Sequence, residues 1–124
     1  MSTAQSAIRC FDLQEVGYVA VVRFTTNCII EDKWIYEAGK QLYALVDQQG
    51  RTRIIIDLIN VGFISSTMLG KFITLHKKLA SRGSKLVFCD VPREVYDILA
   101  VTRCDRLFCI KGTLEEALAE FSAR

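Results

Sequence analysis

The run Arg53-Ile54-Ile55-Ile56-Asp57-Leu58 constrains this chain more than any other segment. Successive side chains of a strand point to opposite faces of a sheet, so three consecutive isoleucines place β-branched apolar groups on both. A strand of that kind is stable only where both faces are covered, which is the position of a central strand in a parallel sheet with helices packed on it. The flanking sequence supplies such helices. From Glu31 to Gln49 the residues Trp34, Ala38, Leu42, Leu45 and Val46 recur at helical spacing, and Gly50 suits a helix C-terminus. From Ser66 to Arg82 the same pattern returns through Leu69, Phe72, Ile73 and Leu79, ending at Gly83.

The rest of the chain extends that alternation. Ile8–Leu13 and Tyr18–Phe24, joined across Gln14, Glu15, Val16 and Gly17, read as an antiparallel hairpin. Lys85–Cys89 reads as the next strand. Pro92 then stands where a helix would start, with Val95, Ile98 and Leu99 as its apolar side. Leu107–Ile110 is a last short strand, and Thr113–Phe121 a closing helix with Leu114, Ala117, Leu118 and Phe121 on one stripe. The order ββαβαβαβα predicts an α/β domain: a mixed, mostly parallel sheet with an N-terminal antiparallel strand, flanked by helices. With 124 residues, 51% of them hydrophobic, one core is the expectation. The polar stretch Met1–Ala7 reads as a disordered start and 8–124 as the single domain.

Charge and cysteine usage exclude several classes of function. The net charge is +2 and the basic residues are scattered, which argues against a nucleic-acid binder. Five cysteines, an odd number without a C-x-x-C pair, fit reduced thiols in a cytoplasmic protein, and a single histidine, His76, leaves no zinc-ligand spacing. No apolar run approaches transmembrane length, and the N-terminus lacks the pattern of a signal peptide. Nucleotide binding needs a Gly-rich phosphate cradle, and neither G-x-G-x-x-G nor a Walker motif occurs.

Chemistry in a parallel sheet concentrates in the loops leaving the C-terminal ends of the strands, here Asn60–Gly70. That loop carries three hydroxyls in a row, Ser65, Ser66 and Thr67. One of them is expected to cap the following helix. A Ser-His hydrolase is excluded because His76 lies ten residues from Ser66 on the same helix, about 15 Å away at 1.5 Å per residue. Asp57 stands where a response-regulator receiver carries its phospho-acceptor, with Lys111 in the place of the late lysine. Asp12 has no acidic neighbour to complete a Mg²⁺ pair, and Asp57 is expected to cap the loop instead. Arg103, Asp105 and Arg106 read as a solvated loop.

The strand Ile54-Ile55-Ile56-Asp57-Leu58 and the run Val61-Gly62-Phe63-Ile64-Ser65-Ser66-Thr67-Met68-Leu69-Gly70 are similar to the strand, loop and helix start of anti-sigma factor antagonists, a group of STAS domains. Their pattern is an aliphatic strand ending in Asp, followed by Phe-Ile-Asp-Ser-Ser-Gly-Leu-Gly. The likeness continues through Leu75, Gly83-Ser84-Lys85-Leu86-Val87 and Val91-Pro92, so it covers about residues 15 to 121. Ser65, Thr67 and Met68 stand where the family has Asp, the second Ser and Gly, and Thr25-Thr26-Asn27-Cys28 lacks the Gly and acidic residues common after the second strand. The resemblance implies a bacterial, non-enzymatic regulator of transcription without cofactor. Its partner would be an anti-sigma factor with serine kinase activity, and phosphorylation of Ser66, or failing that Ser65 or Thr67, would release it. The partner-binding residues it implies are Ser65, Ser66, Thr67, Met68 and Leu69, with Thr25 and Asn27 from the earlier loop. A phosphorylation-independent scaffold subunit that uses the same helix is the alternative from a different class.

Overall fold

The computed structural model describes residues 9–29 and 31–122, with the side chain of Cys28 left aside; the expected disordered start, Met1–Ala7, lies outside the described residues. The Ile54–Asp57 strand, β4, is fully buried and lies third in a five-stranded sheet of order β1-β2-β4-β6-β7, with β1 Phe11–Val16, β2 Val19–Phe24, β6 Leu86–Cys89 and β7 Cys109–Lys111. β1 runs antiparallel to β2, and the pairs β2·β4, β4·β6 and β6·β7 are parallel. The mixed, mostly parallel sheet expected from the alternation is therefore the observed one.

The hairpin turn differs from its expected place. β1 continues through Val16, which pairs with Val19, and the loop is the two residues Gly17 and Tyr18. Gly17 has φ +62°, the conformation a two-residue hairpin needs at its first loop position, and one that a Cβ would penalise. Extending the strand to Val16 adds an apolar group to the second face of the sheet.

The helices divide unequally between the two faces. On one side α1 (Asp32–Asp47) and α2 (Ser66–Ala80) pack with α3 (Arg93–Val101) over Ala20, Val22, Ile54, Ile56, Leu86 and Phe88. Edge-on and tilted ring contacts link Phe11, Phe24, Phe72, Phe88 and Phe108 through the middle of this layer. On the other side the nine-residue α5, Leu114–Ser122, lies on Val19, Val21, Ile55, Val87 and Cys89 through Ala117. Glu120 ties α5 down by pairing with Lys85 at 2.6 Å and Lys111 at 3.0 Å, and these two ammonium groups hold its carboxyl at about 2. Lys111 is thus turned to α5 rather than to Asp57.

Three short elements were not expected. β3 (Cys28–Ile29) and β5 (Phe63–Ile64) form a two-stranded parallel sheet of their own. α4, Cys104–Leu107, is a single helical turn in the segment expected to be loop; Arg103 enters it at φ +64°. Arg103 and Arg106 are exposed and Asp105 is half-buried, while Cys104 is buried. His76 packs edge-on against Phe108, ring centres 5.9 Å apart, as a flank of the helix surface.

Candidate functional site

The candidate site is assembled by the small β3·β5 sheet. Asn27 O accepts hydrogen bonds from Gly62 N at 2.6 Å and Phe63 N at 3.3 Å, and Ile29 O accepts one from Ser65 N at 2.9 Å. The Asn27 side chain adds a long donation to Asn60 O, 3.4 Å. These contacts carry the loop after β2 against the loop after β4, so Thr25 and Asn27 come to the same end of the molecule as the start of α2. The juxtaposition expected of those two segments is the observed one. No side chain intervenes at Gly62, where a Cβ would stand 3.2 Å from Asn27 Oδ1.

The three hydroxyls are not equivalent. Ser65 is the N-cap: its backbone is extended, and its Oγ accepts from Met68 N at 3.3 Å. Ser66 and Thr67 are the first two helical residues, both exposed. Among the described residues Ser66 Oγ has no hydrogen-bond partner. α2 has no acidic residue in its first turn, so the positive end of the helix dipole is not neutralised by a neighbouring carboxylate. An added phosphate at Ser66 would meet unpaired backbone N–H groups rather than a like charge.

Met68 and Leu69 require a correction. The expectation that they face a partner fails on burial: Met68 is 0% and Leu69 3% exposed, both in the main core. With Ser65 as the cap, positions three and four beyond it are the ones a helix lying on a sheet turns inward. The bulk that Met68 adds relative to glycine therefore fills the interior and leaves the surface unobstructed. The accessible apolar groups nearby are instead Phe63 on β5 (45% exposed) and Ile59 in the loop after β4 (55% exposed). A strand alternation that should have buried or polarised residue 63 was the available signal, but a two-residue strand offers too little pattern to read it.

Beneath the loop, Asp57 is buried, 1% exposed, and receives two hydrogen bonds on Oδ2 from Arg23, from Nε at 3.0 Å and from a terminal guanidinium nitrogen at 2.7 Å. Its Oδ1 accepts from Ile59 N at 3.1 Å. Asp57 thus caps the loop as expected, and Arg23, which the sequence reading did not single out, neutralises it. Asp57, Cys89 and Asp90 form the one group with metal-ligand proximity among the described residues, their donor atoms within 4.8 Å of one another. The Arg23 guanidinium already provides the positive charge there. Burial, chiefly, pushes the Cys89 thiol up to about 12, and burial likewise lifts Cys10 to about 11, so neither is poised as a nucleophile.

Asp90 sits beside this pair at φ +53°, a left-handed conformation that Asp and Asn tolerate best among residues with a Cβ. Burial first, and then the Asp57 charge, raise its carboxyl above the usual carboxylate range. A raised folded pKa means the ionised form opposes folding above that pKa, and the penalty disappears as pH falls to the unfolded value. Asp90→Asn is therefore expected to raise the melting temperature at pH 7. Its advantage over the parent should shrink toward pH 4, as paired thermal melts at the two pH values would show.

The two serines separate by stability. Ser65→Ala removes the cap and is expected to cost about 1 kcal/mol, whereas Ser66→Ala, which breaks no hydrogen bond, should lie within about 0.5 kcal/mol of the parent in urea denaturation. Equal losses would show that Ser65 Oγ contributes nothing as a cap.

A five-stranded sheet with one antiparallel edge, helices on both faces and a hydroxyl-bearing helix start at the C-terminal end of its central strand defines a small α/β domain. A family model for the STAS domain matches residues 13–117, and the chain belongs to that family. A Thermotoga neapolitana protein described as a candidate anti-sigma factor antagonist is 26% identical over 98 residues, covering 79% of this chain and 80% of its own. The crystal structure of a candidate anti-sigma factor antagonist from Thermotoga maritima superposes with TM-score 0.78 at 24% identity, over 89% of this chain and 92% of that one. The Bacillus cell-fate determinant SpoIIAA in its phosphorylated form superposes with TM-score 0.69 at 15% identity, over 90% and 98%. No helix among the described residues is long and apolar enough to cross a membrane.

Proposed function

We propose that this chain is an anti-sigma factor antagonist, a cytoplasmic partner-switching protein that binds an anti-sigma factor with serine kinase activity and is released by phosphorylation of Ser66. The observation that carries the reading is the division of labour at the start of α2: Ser65 is committed to the cap, while Ser66 is exposed with its hydroxyl free among the described residues. A kinase can modify Ser66 without unfolding the helix that presents it. The partner surface comprises Ser66 and Thr67 with the half-buried Ser65 at its edge, Thr25 and Asn27 from the β2–β3 loop, and the apolar Phe63 beside them. Met68 and Leu69 support this surface from below.

Phosphorylation would work by adding close to two negative charges and three acceptor oxygens to an interface built around a neutral hydroxyl. The helix N-terminus accommodates the charge, so the fold persists while a closely packed partner is repelled. No reaction is carried out by this chain and no cofactor enters the scheme.

A pull-down from lysate of the source organism, with Ser66→Ala and Ser66→Asp as baits, tests the reading. Retention of an ATP-binding, kinase-like protein by the Ala bait and its loss from the Asp bait is the expected result. Identical retention by both baits would replace the switch with a constitutive assembly role on the same surface.

A further inference from the structure

At the opposite end of the strands from Ser66, a groove of about 490 Å³ runs between the β1–β2 turn and α5. Val16 and Val19 form one wall and Leu118, Ala119 and Phe121 the other. Val16, Leu118 and Phe121 are half-buried, each packed against the second core cluster with part of its apolar surface open. The volume lies within the range of small-molecule sites, roughly 300–1,000 Å³. α5 cannot simply collapse into the groove, because Glu120 anchors it to Lys85 and Lys111.

Arg53, exposed at the entrance to β4, is the cation on this wall, and it makes no ion pair among the described residues; its neighbour Arg51 is paired with Glu15. Glu115, the acidic residue on the wall, lies in the first turn of α5 and forms no ion pair with Arg53. The groove therefore joins an apolar trough to one guanidinium that makes no ion pair among the described residues, a pairing that complements a chain-like apolar ligand with a single anionic end. We propose that it binds a single-chain fatty acid, with the carboxylate on Arg53 and the alkyl chain along Val16, Val19, Leu118 and Phe121. A guanidinium matches a carboxylate in shape as well as charge.

Other occupants fit less well. A second copy of the chain would need roughly 800 Å² per partner, more than a narrow trough beside one short helix provides. An anionic bilayer, unlike a single carboxylate seated on Arg53, would lay many negative charges against Glu115 and Glu116 together, both exposed in the first turn of α5.

The test is a ¹⁵N–¹H correlation titration of the full chain with dodecanoate below its micellar concentration, repeated with dodecanol. Saturable one-to-one shifts at Val16, Val19, Leu118 and Phe121 are expected, with a dissociation constant on the order of 0.1 mM for a ligand of this size. Arg53→Gln should weaken dodecanoate about tenfold and leave dodecanol unchanged, as loss of one charge-assisted contact requires. Ala119→Trp places a ring in the groove from an exposed position and should abolish the shifts while the remaining spectrum stays in place. Absence of saturable shifts, shifts that survive Ala119→Trp, or equal affinity for dodecanol and dodecanoate would each overturn the proposal. Sedimentation with phosphatidylglycerol vesicles in place of dodecanoate binding would assign the face to a membrane, and concentration-dependent self-association through these residues would assign it to a second copy.

Discussion

Arg23→Ala is expected to destabilise the protein by about 3 kcal/mol, the lower end of the range for leaving one member of a buried ion pair alone. The asymmetry of the pair sets the sign and the size. Asp57 is 2% exposed at its side chain and Arg23 33%, so removing the arginine strands a carboxylate with no route to water. Asp90 stands beside it, and its charge adds to that of Asp57 once the guanidinium is gone. Removing the acid is different: in Asp57→Asn the guanidinium can turn to solvent, and the amide oxygen can still accept from Ile59 N. That variant should cost about 1 kcal/mol, a single weakened hydrogen-bond network rather than a stranded charge. Urea denaturation of the two variants checks the order. Equal costs would show that water reaches Asp57 in solution. Because Ile59 opens the loop that runs to Phe63 and Ser65, Arg23→Ala should also loosen the site, visible as faster amide exchange at Ile59.

Which parts of this arrangement were legible beforehand follows from the range over which each signal is written. The isoleucine run marks its own strand as central, because β-branched groups on both faces are a local fact with one consequence. The hairpin was legible but misplaced, because Gln14 and Glu15 look like turn residues. In fact they lie within an edge strand, exposed on its two opposite faces, and only the pairing of Val16 with Val19 shows it. β3 and β5 carry two residues each and α4 four, too few for either period to appear. At the site, a row of hydroxyls before an apolar helix predicts a cap, and the choice of Ser65 over Ser66 is a matter of register that only the fold sets. The same register turned Met68 inward. The Arg23–Asp57 pair spans 34 positions and exists because parallel pairing of β2 with β4 puts those two residues opposite one another, a relation no local pattern contains.

Phe72→Ala is expected to be at least as costly, about 3–5 kcal/mol, because it opens a cavity where the surroundings have little freedom to close. Phe72 is fully buried on the inner face of α2, with its ring 6.0 Å from Phe24 and 5.2 Å from Phe88. Phe24 in turn meets Phe11 and Trp34, and Phe88 meets Phe108, so one ring bridges the hairpin, α1 and the β6–β7 edge of the sheet on the same face. Its loss removes the contact common to both halves of that chain as well as the apolar area itself. Phe72→Leu keeps most of the volume and should cost about 1.5 kcal/mol. The functional consequence follows from position: Phe72 is seated less than two turns beyond Ser65 and fixes the helix whose first turn presents Ser66. At temperatures where Phe72→Ala remains folded, partner retention by a Ser66→Ala, Phe72→Ala bait should fall, although no partner-facing atom has been changed. Undiminished retention, with the destabilisation confirmed by thermal melting, would mean that the first turn of α2 is held by Ser65 and the β3·β5 sheet alone, independently of the core beneath it.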